Sequence, residues 1–330
     1  MDKRISWNAR PFVCSPWIRS PHCQTIGGKF LRPILRTQLK PETISTPDGD
    51  FLQLDWMPET SPNAPLVLVL HGLEGHTRRR YVTQSFSSLR DNGLRAVGLN
   101  FRGCSGTPNL LARGYHSGET EDLKFILTLL KNRYPDRPIM GLGFSLGGNV
   151  LLKFLGETGS EFLAAAAAIS VPYNLSAGAD SLEKDVMAKI YSMYFMKSLI
   201  DKVRSKEAIL STTIQLDELS EDATIRSFDE LVTAPLHGFK DVKDYYDKSS
   251  SSQFIPSIQI PTLLIHSKDD PFLPPTQVPE QTIEANPYLT LILTERGGHV
   301  GFIEGWHPGN FRFWAEEQAS EYLKHCFNYS

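Results

Sequence analysis

Cysteine is scarce in this chain. Cys14, Cys23, Cys104 and Cys326 are scattered through 330 residues with no Cys-x-x-Cys spacing, which argues against a disulfide framework or a thiolate metal site. Long apolar runs are missing too. No segment approaches the roughly 20 consecutive apolar residues of a membrane span. The region from Met1 to Ile26 sets Lys3, Arg4, Arg10 and Arg19 among prolines, where a secretory signal would carry a continuous apolar stretch. The expected localisation is therefore cytoplasmic, and the glycosylation-type triplets Asn174-Leu175-Ser176 and Asn328-Tyr329-Ser330 are read as accidents. There is little excess charge: a formal net charge of -3 leaves no electrostatic footprint for nucleic acid or an anionic surface. A His-Glu-x-x-His helix and a Gly-x-x-x-x-Gly-Lys phosphate loop are both absent, so neither a metal nor another cofactor is expected.

What is present is an ordinary globular composition, 41% hydrophobic and 22% charged, enough for one large α/β domain with an insertion. Leu66 to Leu70, Arg95 to Asn100, Ile139 to Phe144 and Ala164 to Val171 are short apolar runs closed by turn residues. They read as buried parallel strands. Helical patterns lie between them. In Glu119 to Arg133, Leu123, Ile126, Leu127 and Leu130 share a face, and Glu119, Glu121 and Asp122 crowd the first turn. Ser117 is read as the cap of that helix. Such alternation predicts a doubly wound, mostly parallel sheet.

The alternation stops after Val171 and resumes at Thr262 to His266, followed by Leu289 to Thr294 and a helical pattern from about Asn310 to His325. The expected organisation is a core formed by residues 1–172 and 255–330, with an N-terminal arm, and a helical cap inserted over 173–254. Ser249 to Ser252 reads as a linker back to the sheet. Met187 to Ile200, rich in Met, Tyr and Phe, is either plain packing or the lining of an acyl-chain pocket.

Gly143-Phe144-Ser145-Leu146-Gly147 is a Gly-x-Ser-x-Gly match, weak by itself. Its context strengthens it, because a strand leads in and a helical stretch, Val150 to Leu155, leads out. A serine hydroxyl must lose its proton as it attacks, so a base is required. His299, in the glycine-rich Arg296-Gly297-Gly298-His299 after the last strand, is the candidate. The acid should follow an earlier strand, in the order Ser, Asp, His. Both Asp269 and Asp270 follow Thr262 to His266, and Asp270 is preferred because Pro271 to Pro274 turns the chain tightly behind it. For the oxyanion, two backbone N–H groups are candidates: Leu146, directly after the nucleophile, and Leu73, after His71-Gly72 at the end of the first long strand. His71 is read as a structural residue of that turn, Arg78 to Arg80 as a solvated helix start, and Cys104 as structural.

Further segments widen the match. These are His22-Cys23-Gln24-Thr25, His71-Gly72-Leu73-Glu74-Gly75, Asn100-Phe101-Arg102-Gly103-Cys104-Ser105-Gly106 and Tyr115-His116-Ser117-Gly118-Glu119-Thr120-Glu121-Asp122. Ser145-Leu146-Gly147-Gly148-Asn149 and Asp269-Asp270-Pro271-Phe272 complete the set. With them the chain closely resembles, almost end to end, the YheT-like branch of α/β-hydrolases, a group that includes eukaryotic lipid hydrolases and yeast medium-chain ester synthases. The resemblance implies an α/β-hydrolase fold and puts the charge relay on Ser145, Asp270 and His299, favouring Asp270 over Asp269. Phe228-Asp229, Thr233 to Gly238 and Asp244-Tyr245-Tyr246 resemble the family's cap-return segment.

The expected activity is hydrolysis of carboxylic esters of short to medium acyl chain through an acyl-serine intermediate. The expected partner is a small ester or lipid substrate, with no nucleic acid and no integral membrane segment. Peripheral membrane contact and oligomeric state stay open. Acyl transfer to an alcohol by the same residues is the alternative, and a ligand-binding scaffold without chemistry is the reading from another class.

Overall fold

The short apolar runs form the centre of one eight-stranded sheet. The computed structural model describes residues 7–34, 38–59, 61 and 63–328. Its strands are β1 (Lys40–Ser45), β2 (Phe51–Trp56), β3 (Leu66–Leu70), β4 (Arg95–Asn100), β5 (Ile139–Phe144), β6 (Ala165–Ile169), β7 (Thr262–Ser267) and β8 (Leu289–Thr294). They lie in the order β1-β2-β4-β3-β5-β6-β7-β8. β2 runs antiparallel to both β1 and β4, and all remaining pairs are parallel.

Every residue of β3, β5 and β6 is buried. Helices cover both faces of the sheet, which is why these strands are continuously apolar instead of alternating. Alternation persists in where the side chains go. Leu66, Leu68 and Leu70 join one core with α3 (Glu121–Arg133) and α4 (Leu146–Thr158), whereas Val67 and Val69 join the other with α2 (Arg80–Asp91) and the C-terminal helix Trp314–Asn328. Each such side chain contributes roughly 1.5–3 kcal/mol of burial. Because the six parallel strands point the same way, their carboxyl ends share one edge, where crossover folds place their ligands.

Between β6 and β7 the chain makes α5 (Leu175–Ser181), α6 (Val186–Ser205), α7 (Val242–Ser249) and several shorter turns. This insertion has its own apolar centre around Met196, Ile200, Phe228 and Val232. Ser249 to Ser252 lead from the insertion back toward β7 as expected, with Ser249 and Ser251 buried. Asn149 of α4 donates from Nδ2 to Ser249 O (2.8 Å) and accepts from Ser251 N (2.9 Å), which replaces the water these backbone groups would otherwise need. One local expectation fails: Ser117 does not cap α3. The Glu119 carboxylate accepts from the N–H groups of Glu121 (3.1 Å) and Asp122 (3.3 Å), and the N–H of Ser117 donates to the Tyr245 hydroxyl (3.0 Å). Among the described residues no helix is long and apolar enough to cross a membrane.

Candidate active site

Ser145 sits between β5 and α4 with φ 49° and ψ -120°. A non-glycine residue held there costs on the order of 1–3 kcal/mol, so its surroundings must enforce the turn. A Cβ on Gly143 would lie 2.6 Å from the Gly148 Cα, and one on Gly147 would lie 2.5 Å from the His71 carbonyl oxygen. These obstacles are backbone and cannot swing aside. The Ser145 N–H donates to Ile169 O (2.9 Å), pinning the elbow to the end of β6.

His299 lies in the loop after β8. The Ser145 hydroxyl donates to its Nε2 (3.0 Å), and its Nδ1 donates to Asp270 Oδ2 (2.8 Å). The other Asp270 oxygen accepts from the N–H groups of Phe272 (2.8 Å) and Leu273 (3.1 Å). The Asp270 side chain is wholly enclosed. A carboxylate fixed on Nδ1 selects the tautomer whose Nε2 lone pair faces the serine, the arrangement a general base requires. The Phe272 ring, 4.5 Å away between centroids, covers the imidazole. Asp269 turns elsewhere and accepts from Gly298 N (2.9 Å), bracing the histidine loop; burial raises the pKa of its carboxyl.

The strand order reading missed a second brace. The His299 N–H donates to Thr25 Oγ1 (2.9 Å), Ile303 N donates to Gln24 Oε1 (2.7 Å), and Arg32 donates to Val300 O (2.7 Å). Thr25 and Gln24 belong to α1 (Pro21–Phe30), on the N-terminal arm. Their only signal in the sequence was the His22-Cys23-Gln24-Thr25 segment, to which no role could be given.

Leu146 opens α4, where the first N–H groups of a helix have no intrahelical partner and the helix dipole favours negative charge. At Leu73 the preceding carbonyl decides the direction. Gly72 O accepts from His71 Nδ1 (2.8 Å) and Gly75 N (3.0 Å). In a trans peptide this aims the Leu73 N–H the opposite way. Leu73 and Leu146 line the same cavity as Ser145 and His299. His71 is fully engaged in the turn, since its Nε2 accepts from Phe101 N (3.2 Å), and burial drives its pKa down to about 3.

The cavity has a volume of about 690 Å³, and Tyr191, Tyr194, Phe195 and Leu199 of α6 form part of its wall. Met196 and Ile200 of the same helix pack into the insertion instead, so pocket lining and plain packing divide that stretch between them. Beside the cavity, ligand atoms of His116, Glu119 and His237 lie within 4.8 Å of one another. The donor set does not fit a cation. His116 Nδ1 accepts from Gly118 N (3.1 Å), which leaves the proton on Nε2, and Glu119 is paired with the Arg113 guanidinium (2.8 Å).

Comparison with known proteins bears on the whole arrangement. The sequence profile of the alpha/beta hydrolase fold matches residues 65–305. YheT of Escherichia coli strain K12 is 36% identical over 309 residues, covering 92% of this chain and 89% of that protein. Phospholipase ABHD3 of Mus musculus is 32% identical over 311 residues, covering 90% and 76%. Among solved structures, the Pyrococcus furiosus esterase Pf2001 superposes with a TM-score of 0.56 at 20% identity, covering 97% of this chain and 98% of that one. That likeness concerns the fold.

Proposed function

This chain belongs to the alpha/beta hydrolase fold family, and from that premise we propose that it is a serine hydrolase cleaving carboxylic esters of short to medium acyl chain. The observation that carries the reading is the continuous hydrogen-bonded line from Asp270 through His299 to Ser145, opening on a largely apolar-walled cavity. A relative named as an esterase and another named as a phospholipase support an esterase- or lipase-type hydrolase.

The chemistry follows from the geometry. Ser145 Oγ attacks the ester carbonyl carbon as its proton passes to His299 Nε2, and Asp270 stabilises the imidazolium without taking the proton. The N–H groups of Leu73 and Leu146 receive the charge that develops on the carbonyl oxygen. Collapse expels the alcohol, protonated by His299, and leaves an acyl-serine that water cleaves by the same route. The insertion acts as a cap, its aromatic and aliphatic side chains selecting the acyl group.

The first test combines a fluorophosphonate probe with nitrophenyl esters from acetate to palmitate, applied to the wild type and to Ser145→Ala. Labelling and turnover should disappear together in the variant, and the ester series sets the acyl range. A folded wild type that neither labels nor turns over any ester would overturn the reading. Added alcohol separates hydrolysis, which releases only free acid, from acyl transfer, which yields a new ester.

A further inference from the structure

Glu74 follows the oxyanion donor Leu73, and its backbone is unusual. It holds φ 50°, a left-handed conformation, at the third position of the turn closed by the Gly75 N–H to Gly72 O hydrogen bond. Glycine or asparagine normally occupies such a position. The glutamate is kept there by its contacts. Tyr115 OH accepts from the Glu74 N–H (2.9 Å) and donates to Glu74 Oε1 (2.7 Å), a reciprocal clamp. The Glu74 carbonyl accepts from Arg79 (3.1 Å). Two more donors come from α6, on the insertion: Lys202 Nζ reaches Glu74 Oε1 at 2.7 Å, and the Ser198 hydroxyl donates to Oε2. The carboxylate is almost entirely enclosed, its side chain only 2% exposed. The last two bonds therefore tie the cap to the turn that aims the Leu73 N–H.

Resting on the reading of Leu73 as an oxyanion donor, we propose that Glu74 is the positioning residue through which a seated cap sets the oxyanion hole. With Lys202 and Ser198 in place, the left-handed turn is enforced and the Leu73 N–H faces the carbonyl oxygen. When α6 lifts away, a strained turn loses two of the contacts that hold it. The site is then fully competent only with its cap down, which couples substrate enclosure to transition-state stabilisation.

A trifluoromethyl ketone with a short alkyl chain tests this. Ser145 Oγ adds to its carbonyl carbon, the carbon–oxygen π pair becomes the hemiketal oxyanion, and the serine proton moves to His299. The corresponding trifluoromethyl alcohol occupies the same space without forming an oxyanion. Glu74→Gln and Lys202→Met should each lower kcat on nitrophenyl butyrate by about 30-fold with KM within about twofold, somewhat less than outright loss of one donor. The ketone's affinity should fall by a similar factor while the alcohol's stays put. The double variant should be no worse than Glu74→Gln alone, the mark of one shared interaction. Folded variants with unchanged kcat and ketone affinity, or with the loss confined to KM, would overturn the proposal. Lys202→Met carries the same readouts if Glu74→Gln does not fold. A wild type that forms no ketone adduct at Ser145 would instead remove the serine reading beneath it.

Discussion

Asp269 and Asp270 are adjacent carboxylates whose hydrogen bonds run to different parts of the same loop, one to the Gly298 backbone and one to the His299 ring. Their substitutions should separate accordingly. Asp270→Asn is expected to lower kcat by about 10⁴-fold with KM nearly unchanged, because the amide favours the wrong imidazole tautomer. Asp269→Ala should cost only about 10-fold to 100-fold, by letting the ring drift. Steady-state kinetics on a single nitrophenyl ester decides this, and equal losses would refute the division of roles. Thr25→Val removes the acceptor of the His299 N–H and leaves a part-buried donor unpaired, at roughly 1–3 kcal/mol. A lower melting temperature together with about 10-fold lower kcat is the expected result. Strand order and turn chemistry singled out Ser145, His299 and Asp270, because each follows its own strand, and the structure brings the three within hydrogen-bonding distance. Thr25 was not readable: its partner lies 274 positions away, and no periodicity reports a contact of that span.

At the scale of elements, the elbow depends on backbone approaching backbone. Gly147→Ala would set a methyl 2.5 Å from the His71 carbonyl and 2.6 Å from that of Leu70, forcing α4 away from β3. Circular dichroism should still report a folded α/β protein, while fluorophosphonate labelling of Ser145 falls at least about 100-fold, since a displacement near 1 Å already costs that much. Full labelling of the alanine variant would show that the turn tolerates a Cβ. The strands were legible because burial on both faces leaves uninterrupted aliphatic runs. Element ends were less so. A serine before an acidic first turn suggests a cap, yet the longer Glu119 side chain reaches those N–H groups first. A serine-rich patch suggests a linker, but not that Asn149 supplies it with buried partners. Both depend on side-chain reach and on a distant helix, neither of which local composition encodes.

For the whole molecule, buried histidines weaken the fold toward acid. Burial, aided by neighbouring cations, lowers His76 and His237 to about 4, and burial lowers His116 below the ordinary imidazole value as well. A histidine whose folded pKa is depressed stabilises the fold fully above the unfolded value near 6.5, and that contribution is lost as pH falls toward 4. Each pH unit in this window removes up to about 1.4 kcal/mol for the well-buried His116 and His237, and less for the more exposed, solvent-screened His76. The melting temperature should therefore drop between pH 6.5 and 4, though by less than the histidines alone would give, because the buried Asp229 and Glu316, raised to about 6 and about 7, take up protons over the same range and oppose the loss. His116 and His237, with ring centroids 4.4 Å apart, join the core to the insertion, so hydrogen exchange at pH 4.5 should show α7 peptides opening before β5 and β6. Simultaneous opening would place the acid-labile contacts elsewhere.

The brace between the N-terminal arm and the histidine loop also bears on how the protein comes into being. Thr25 waits for His299, Gln24 for Ile303, and Arg32 for Glu316, a residue 284 positions later. While the chain emerges from the ribosome, the elbow and its strands are available long before any of these partners exist. A nascent chain that has exposed Ser145 still lacks both Asp270 and His299, and the N-terminal arm has nothing to grip. On the proposed mechanism, reactivity toward esters would begin only when synthesis has passed β8 and the two distant segments meet, so that translation itself would keep the unfinished chain inert.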